Sequence, residues 1–307
     1  DGRFEAGLPA IGDGQMLFLQ NGLKKLKEDG RMAIIQNGSS LFNGDAGSGP
    51  SNIRKHIIEN DYLEAIVQLP TDLFYNTGIA TYIWVITKNK VEARSGKVQL
   101  IDASNCYEKR RKNIGNKRVD LSQKCIDLIV KAYNEFNNKE YNDGSLVVES
   151  KKFDNSYFGY TKVTVETAET DATGNEILKK GKKDSEIIPL DVKIDDYFNK
   201  NVIPFNQHAF IDRSKDKIGY EIPFIKIFYK FVEPKKSNDV FKEFEDLSKY
   251  ENVLTKKILG KKLTDEELNI LKEAMEILTD IIFNPLIEGE KFKPEYVEGE
   301  KKNLKQI

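Results

Sequence analysis

Two adjacent aromatic residues, Phe74 and Tyr75, lie in a loop that follows an apolar run typical of a buried strand, Leu63 to Leu69. Ligands of α/β sheets bind at the carboxyl ends of the strands, so this loop has a position suited to binding. Planar rings can stack on a base drawn out of a nucleic acid duplex, because stacking replaces the contacts that the base loses. The alternative, that one ring closes the edge of the sheet, stays open.

A second candidate binding element is a basic segment between Asn105 and Arg118, with six cations against one acidic residue. The cations are Lys109, Arg110, Arg111, Lys112, Lys117 and Arg118. Each cation that contacts a DNA phosphate displaces a condensed counterion, so the segment is a candidate for binding the DNA backbone. A merely solvated charge run is the commoner case. The whole chain has 48 Lys and Arg against 49 Asp and Glu, so DNA binding requires the cations to be clustered.

Residue types that form disulfides or hold metals are scarce. Cys106 and Cys125 form no CxxC pair, and His56 and His208 have no histidine partner at i+3 or i+4. We therefore expect neither a disulfide scaffold nor a metal site, and a reducing, cytoplasmic location fits best. No apolar run approaches the ~20 residues that span a bilayer, so no membrane partner is expected.

A glycine-rich segment, residues 37–50, follows one predicted strand and precedes a predicted helix. Backbone amides at such a place can cradle an anion. The segment lacks the Gly-Lys-Ser/Thr ending of a Walker motif, which argues against a nucleoside triphosphate. An anion-binding loop and a flexible surface loop remain about equally open.

The elements that would position these residues follow from the apolar spacing. Helix-like and strand-like patterns alternate, in that order, over residues 15–28, 32–35, 51–59 and 63–69. Two further β-rich runs, Thr81 to Thr87 and Val98 to Ile101, are separated by a stretch too short for a crossover helix, so we predict that they pair as an antiparallel hairpin. This order predicts an α/β sheet whose first strands, including the nucleotide-binding end, are missing.

Three runs of the sequence resemble a known family. They are Asp29–Gly38, Leu41–Gly49 and Leu73–Ile79, and their order is similar to that in the modification (M) subunit of type I restriction-modification systems. Further similar runs are Val98–Ala103, Arg111–Arg118 and Phe158–Glu166. The resemblance extends from Arg3 to about Phe231, and the final helical segment fits the family by position alone.

The resemblance implies an adenine-N6 DNA methyltransferase that uses S-adenosylmethionine. Two motifs on which the family's chemistry depends are missing from this sequence: the Gly-rich turn that packs on the cofactor, and Asn-Pro-Pro-Phe/Tyr, which accepts hydrogen bonds from the target amino group. Asn284-Pro285-Leu286-Ile287 departs from the second motif at two positions. We expect that the chain begins after that tetrapeptide, contains no catalytic residue and is inactive alone; its cofactor-binding residues are unknown.

For the target base, the resemblance implies Phe74 as the first aromatic candidate and Tyr75 as the second. Asn37 and Gly38 end the strand expected to lie beside the missing catalytic strand, so their loop is the other base-binding candidate. The fold implied is the C-terminal part of a Rossmann-like, SAM-dependent methyltransferase sheet that ends in a β-hairpin, followed by a mixed, mainly helical region.

The patterns along the chain, together with the resemblance, predict four segments. They are the end of the catalytic domain (1–104), a basic connector and helix (105–155), a mixed α+β segment (156–235) and a helical C-terminal region (236–307). The expected partners are DNA, the specificity (S) subunit and the restriction (R) subunit. The C-terminal helices 240–259 and 264–283 are the candidate S-subunit surface, and packing within the chain is the alternative for those helices. Thr264-Asp265-Glu266-Glu267 is a capping box, which predicts the start of the second of these helices.

A second hypothesis is a non-enzymatic DNA- or protein-binding module on a degenerate methyltransferase fold. A small-molecule Rossmann enzyme is disfavoured, because the sequence has no dinucleotide turn and no evident acid-base pair.

Overall fold

The computed structural model of the chain describes residues 2–170 and 176–273. Two compact units are present, Asp1–Tyr229 and Lys230–Ile307.

The first unit opens with the alternation that the sequence predicts. Its elements are α1 (Gln15–Lys25), β1 (Arg31–Asn37), α2 (Ser39–Phe42), α3 (Gly49–Glu59), β2 (Leu63–Gln68), β3 (Thr81–Thr87) and β4 (Lys97–Asp102). In α1 the buried residues Met16, Leu19 and Leu23 recur every three or four positions, which aligns them on one face of the helix. Lys24 and Lys25 are the last residues of this helix, where their positive charges interact favourably with the negative end of the helix dipole.

The chain continues through β5 (Glu108–Ile114), β6 (Lys117–Asp120), α4 (Gln123–Glu135), β7 (Lys139–Asp143) and β8 (Leu146–Asp154). Ser122 caps α4, since its side chain accepts a hydrogen bond from the amide of Cys125. β5 and β6 pair with each other as a separate two-stranded sheet, so the basic segment is itself a β-hairpin.

In the part of the chain that the structure describes, the main sheet has six strands in the order β1-β3-β2-β4-β8-β7. The predicted hairpin of β3 with β4 is therefore wrong, because β2 lies between them, antiparallel to β3 and parallel to β4. Residues 88–96 can extend to about 30 Å, three times the ~10 Å that separates alternate strands, so they pass β2 without a helix. β2 is buried on both faces, since Ile66 belongs to the core on one side of the sheet and Val67 to the core on the other.

The main sheet does end in a β-hairpin, but β7 and β8 form it, around Gly144. The mixed α/β sheet of the predicted fold class is confirmed, with its terminal hairpin made by a later pair of strands than the sequence indicated.

Helices cover both faces of this sheet. On one face, α1 and α3 pack over a core that contains Trp84 of β3 and Ile66 of β2, both fully buried. On the other face, α4 packs over β4 and β8, and the buried Cys106 and Cys125 belong to that core. Both cysteines are free thiols.

A second sheet follows, in the order β10-β9-β11, from β9 (Gly159–Thr170), β10 (Glu176–Pro189) and β11 (Ala209–Tyr220). The helices α5 (Ile194–Asn201) and α6 (Phe224–Phe228) flank β11 in sequence. Just after β11, Ile222 donates its amide to the carbonyl oxygen of Leu41, which attaches the end of this sheet to the first helical layer.

The second unit contains α7 (Ser237–Ile258) and a further helix over residues 265–273. The predicted capping box is present: the amide of Thr264 donates to Glu267 Oε2 at 3.0 Å, and the amide of Glu267 donates to Thr264 Oγ1 at 3.3 Å. This confirms the helical C-terminal region. The rest of the predicted helix to Phe283, and Asn284-Pro285, lie outside the described residues. Among the residues described, no helix combines the length and the apolar character needed to cross a membrane.

Candidate functional site

The base-binding candidates lie at one edge of the main sheet. β1, β2 and β4 all end at this edge, while β3 begins there: the register pairs Asn37 with Thr81, and Gln68 with both Tyr82 and Asp102. The aromatic loop, defined as residues 70–80, connects β2 to β3 at the same edge. This is the edge at which α/β sheets bind ligands.

A polar cluster fixes the end of β1. Gln15 Nε2 donates to Asn37 Oδ1 at 2.8 Å, and the amide of Asn37 returns a hydrogen bond of 3.0 Å to Gln15 Oε1. Asn37 Oδ1 also accepts from the amide of Ser39, whose hydroxyl donates to Asp13 Oδ2 at 2.8 Å. These contacts hold the exposed turn at Asn37 and Gly38. The sequence analysis did not identify Asp13, Gln15 and Ser39 as residues that hold this turn. The available signal was that all three are polar and lie near the start of a helix.

The two adjacent aromatics have different environments. Phe74 is half-buried and packs on the small apolar cluster formed by Leu69, Leu73 and Val119. Tyr75 is 58% exposed. Phe74 thus packs into the apolar cluster at the sheet edge, whereas Tyr75 is exposed to solvent.

The basic hairpin, defined as β5, β6 and their turn, packs directly on the aromatic loop. The amide of Asn116 donates to the carbonyl oxygen of Tyr75 at 2.9 Å, and the amide of Arg118 donates to that of Asp72 at 2.8 Å. Lys117 Nζ donates to the carbonyl oxygen of Leu73 at 3.0 Å. The structure therefore brings together two of the elements that the sequence had singled out separately.

The six predicted DNA-binding cations differ in their availability. Arg110 and Lys117 form ion pairs with Asp120, and Lys117 Nζ lies 2.9 Å from Asp120 Oδ1. The hydrogen bond from Lys117, with the nearby charge of Arg110, lowers the pKa of the Asp120 carboxyl. The exposed cations are Lys109, Arg111, Lys112 and Arg118. These four cations are thus more exposed to solvent than Arg110 and Lys117.

The glycine-rich segment is organised around a buried arginine. Arg54 of α3 is fully buried and donates to the carbonyl oxygens of Tyr220 at 2.6 Å, Ser40 at 3.1 Å and Asn43 at 2.8 Å. Burial lowers the pKa of the Arg54 guanidinium to about 10, so it stays charged at neutral pH. Arg54 thus links the carbonyl oxygens of Ser40 and Asn43 in this segment to the end of β11.

The described residues contain no group of three or more His, Cys, Asp and Glu side chains arranged to hold a metal ion. The burial of Cys106 raises the pKa of its thiol to about 12, which keeps it protonated and inert.

Comparison with known proteins shows which family the chain is similar to. The family model for N-6 DNA methylases matches residues 1–172, more than half of the chain. The type I restriction enzyme MjaIX methylase subunit of Methanocaldococcus jannaschii is 29% identical over 209 residues, which cover 64% of this chain and 33% of that protein. The MjaVIII methylase subunit of the same organism is 39% identical over 106 residues, covering 34% and 18%.

Among solved structures, a type I restriction-modification methyltransferase subunit from Streptococcus thermophilus is 26% identical, with a TM-score of 0.44; the match covers 52% of this chain and 31% of that one. The chain thus spans a third or less of the length of the relatives it matches. The two methylase subunits of Methanocaldococcus jannaschii confirm the resemblance to type I modification subunits, and the extent of the family match shows that the chain belongs to the N-6 DNA methylase family.

Proposed function

We propose that this chain is part of a type I DNA methyltransferase subunit that, in full length, transfers a methyl group from S-adenosylmethionine to adenine N6. The observation that carries the proposal is the exposed Tyr75 ring held beside the basic hairpin at the ligand-binding edge of the sheet. A base-stacking ring next to phosphate-binding cations is what an enzyme needs in order to hold a flipped nucleotide.

In this proposal the chain's residues bind and orient the DNA. The exposed cations of the basic hairpin meet the phosphates, and Tyr75 stacks on the extruded adenine. We place Tyr75 ahead of Phe74, the reverse of the sequence-based order, because the Phe74 ring is engaged in the apolar cluster below it. Asn37 and Gly38 approach the base from the neighbouring strand, in the turn that Gln15 holds.

The catalytic strand is proposed to lie beside β1. Among the described residues, β1 pairs with β3 on one side, and no strand pairs with its other side. An open edge of a sheet presents unpaired N–H and C=O groups that another strand can pair with. A strand added there would end next to Asn37 and Gly38, where the family's tetrapeptide would reach the target amino group.

The described residues do not fit S-adenosylmethionine. A cavity of about 400 Å³ opens near the end of β1, but Leu41, Phe42, Tyr82 and Phe224 give it a mainly apolar lining. In the part of the chain that the structure describes, the Gly-rich segment after β1 forms the helix α2 and accepts hydrogen bonds from Arg54, which is not the turn that packs on this cofactor. We propose that the cofactor binds to residues outside this chain's span and that the chain alone is inactive.

The S subunit is the partner we propose for α7. The helix presents the exposed apolar side chains Phe241, Phe244 and Leu247 at intervals of three residues, which places them along one side. Exposed apolar patches of this kind mark protein interaction surfaces. The R subunit, which restricts DNA in such systems, is proposed as a further partner of the assembled enzyme.

Calorimetric titration of S-adenosylmethionine tests the methyltransferase proposal. The chain and a version lengthened with the residues that its gene encodes before Asp1 are compared. Binding by the lengthened protein alone supports the proposal. Binding by neither would favour the alternative, a DNA- or protein-binding module on a degenerate methyltransferase fold.

A further inference from the structure

Successive residues at the turn of the basic hairpin donate hydrogen bonds to backbone carbonyl oxygens of the aromatic loop. The residues that donate are consecutive: Asn116 to the carbonyl of Tyr75, Lys117 through its ammonium to that of Leu73, and Arg118 to that of Asp72. Within the loop itself, the backbone contacts are an isolated bridge between Phe74 and Thr77 and a hydrogen bond of 3.3 Å from the amide of Asp72 to the carbonyl oxygen of Gly78. The hairpin therefore binds the backbone of the loop at three of its carbonyl oxygens.

Gly115 makes this approach possible. Its φ is +60°, in the left-handed region that side chains disfavour, and a Cβ atom at this position would lie 2.5 Å from the carbonyl oxygen of Tyr75. A side chain at residue 115 cannot be accommodated while Asn116 keeps its hydrogen bond to Tyr75. The two backbones can approach this closely because residue 115 is a glycine.

The hairpin also contacts the Tyr75 side chain and the underside of the loop. Lys117 Nζ lies 5.6 Å from the centroid of the Tyr75 ring, within the range of a cation–π interaction. Beneath the loop, Val119 of β6 packs with Leu69 and Leu73. The hairpin thus contacts the loop through its backbone, its apolar underside and the exposed ring.

We propose that the turn Gly115–Lys117 is the positioning element of Tyr75, which holds the ring beside the exposed cations so that base stacking and phosphate binding occur on one surface. Gly115 and Lys117 are positioning residues: they act on the base through Tyr75. The inference deepens the proposed function, since it rests on Tyr75 stacking on a base. In this inference the hairpin has two roles: it supplies cations for the phosphates, and it positions the Tyr75 ring.

The test uses Gly115→Ala with Gly144→Ala as its matched control. Gly144 has a φ of +63° in the β7–β8 turn, but no atom lies within 4 Å of the Cβ that would be added there. Both variants therefore carry the same backbone penalty, and only Gly115→Ala displaces Tyr75. The probe is an oligothymidine with one 2-aminopurine, whose fluorescence is quenched when an aromatic ring stacks on it.

We expect quenching by the wild type and by Gly144→Ala. In Gly115→Ala the quenching should be lost and affinity for the probe should fall about fivefold or more, as for the loss of one stacked base. The dependence of binding on salt should not change, because every cation is retained. A change in phosphate binding alone could not produce a loss of quenching with an unchanged salt dependence.

Quenching by Gly115→Ala equal to that by Gly144→Ala would overturn the proposal. Absence of quenching by the wild type would overturn it too, while the calorimetric titration of S-adenosylmethionine decides the methyltransferase proposal separately. If Gly115→Ala does not fold, Lys117→Ala replaces it, since this variant adds no backbone strain. Lys117→Ala should also reduce quenching at an unchanged salt dependence, and unaltered quenching would count against the proposal.

Discussion

Lys117 Nζ lies 2.9 Å from Asp120 Oδ1 and donates to the carbonyl oxygen of Leu73, so this cation of the basic hairpin already has two anionic or polar partners. Arg110 is bound to the same carboxylate. Neither can meet a phosphate without breaking these contacts. The net charge of the sequence segment therefore overstates the charge that the folded hairpin offers to DNA.

The first prediction concerns the salt dependence of DNA binding. Lys112→Ala and Arg118→Ala should each reduce the magnitude of the slope of log K against log salt by about 0.7–0.9, the contribution of one phosphate contact. Lys117→Ala should leave the slope unchanged. Filter binding or fluorescence anisotropy over a range of NaCl concentrations gives the slopes. Equal slope changes for all three variants would show that Lys117 contacts phosphate.

The second prediction concerns pH. The pKa of Asp120 is lowered by its hydrogen bond from Lys117 and by Arg110, so folding favours its ionised form. The ion pairs therefore stabilise the protein fully above the carboxyl's unfolded pKa of about 4, and the contribution is lost as pH falls through the folded pKa.

Asp120→Asn should accordingly lower the free energy of unfolding at pH 6, and its difference from the wild type should shrink as the pH falls below about 4. Urea titrations at several pH values measure this difference. Asp143→Asn, an exposed carboxylate at the end of β7, is the control and should differ little from the wild type throughout. If the free energies of unfolding of Asp120→Asn and the wild type still differ as much at low pH, the stabilisation does not come from the ionised Asp120 carboxyl.

The third prediction concerns Arg54. Arg54→Ala removes a fully buried guanidinium and leaves the carbonyl oxygens of Ser40, Asn43 and Tyr220 without this donor. The acceptors of Ser40 and Tyr220 are buried, and each buried acceptor left unpaired costs about 1–3 kcal/mol, so we expect the free energy of unfolding of this unit to fall by about 2 kcal/mol or more. The single tryptophan, Trp84, is buried in the same unit and reports its unfolding by fluorescence.

Lys55→Ala, one position along the same helix, is the matched control for Arg54→Ala. Lys55 is half-buried and should cost no more than about 0.5 kcal/mol, as is usual for substitutions near the surface. Equal losses for the two variants would mean that the carbonyl contacts of Arg54 contribute little.

The local part of the fold was predictable because neighbours in sequence determine it. The spacing of Met16, Leu19 and Leu23 predicted α1, and Thr264 with Glu267 predicted a capping box that the structure contains. The pairing of β3 with β4 was predicted wrongly, since the orientation of two strands does not say whether a third lies between them.

The candidate site was predictable in its parts but not in its assembly. The aromatic loop and the basic segment each carry a recognisable composition, yet about 40 residues separate Tyr75 from Asn116, and their contact is between backbone atoms, on which side-chain type has little bearing. The partners of Arg54 were equally hidden, because its acceptors are carbonyl oxygens as far away in sequence as Tyr220.

The last prediction separates the two adjacent aromatics. Phe74→Ala removes a half-buried ring from the cluster of Leu69, Leu73 and Val119, so the free energy of unfolding should fall by about 1–3 kcal/mol. Tyr75→Ala removes an exposed ring and should change stability by less than about 0.5 kcal/mol, while its affinity for single-stranded DNA falls. Urea unfolding followed by Trp84 fluorescence, with DNA titration of the same samples, resolves the two effects. A loss of DNA affinity in Phe74→Ala alone, with Tyr75→Ala binding like the wild type, would restore Phe74 as the residue that stacks on the base.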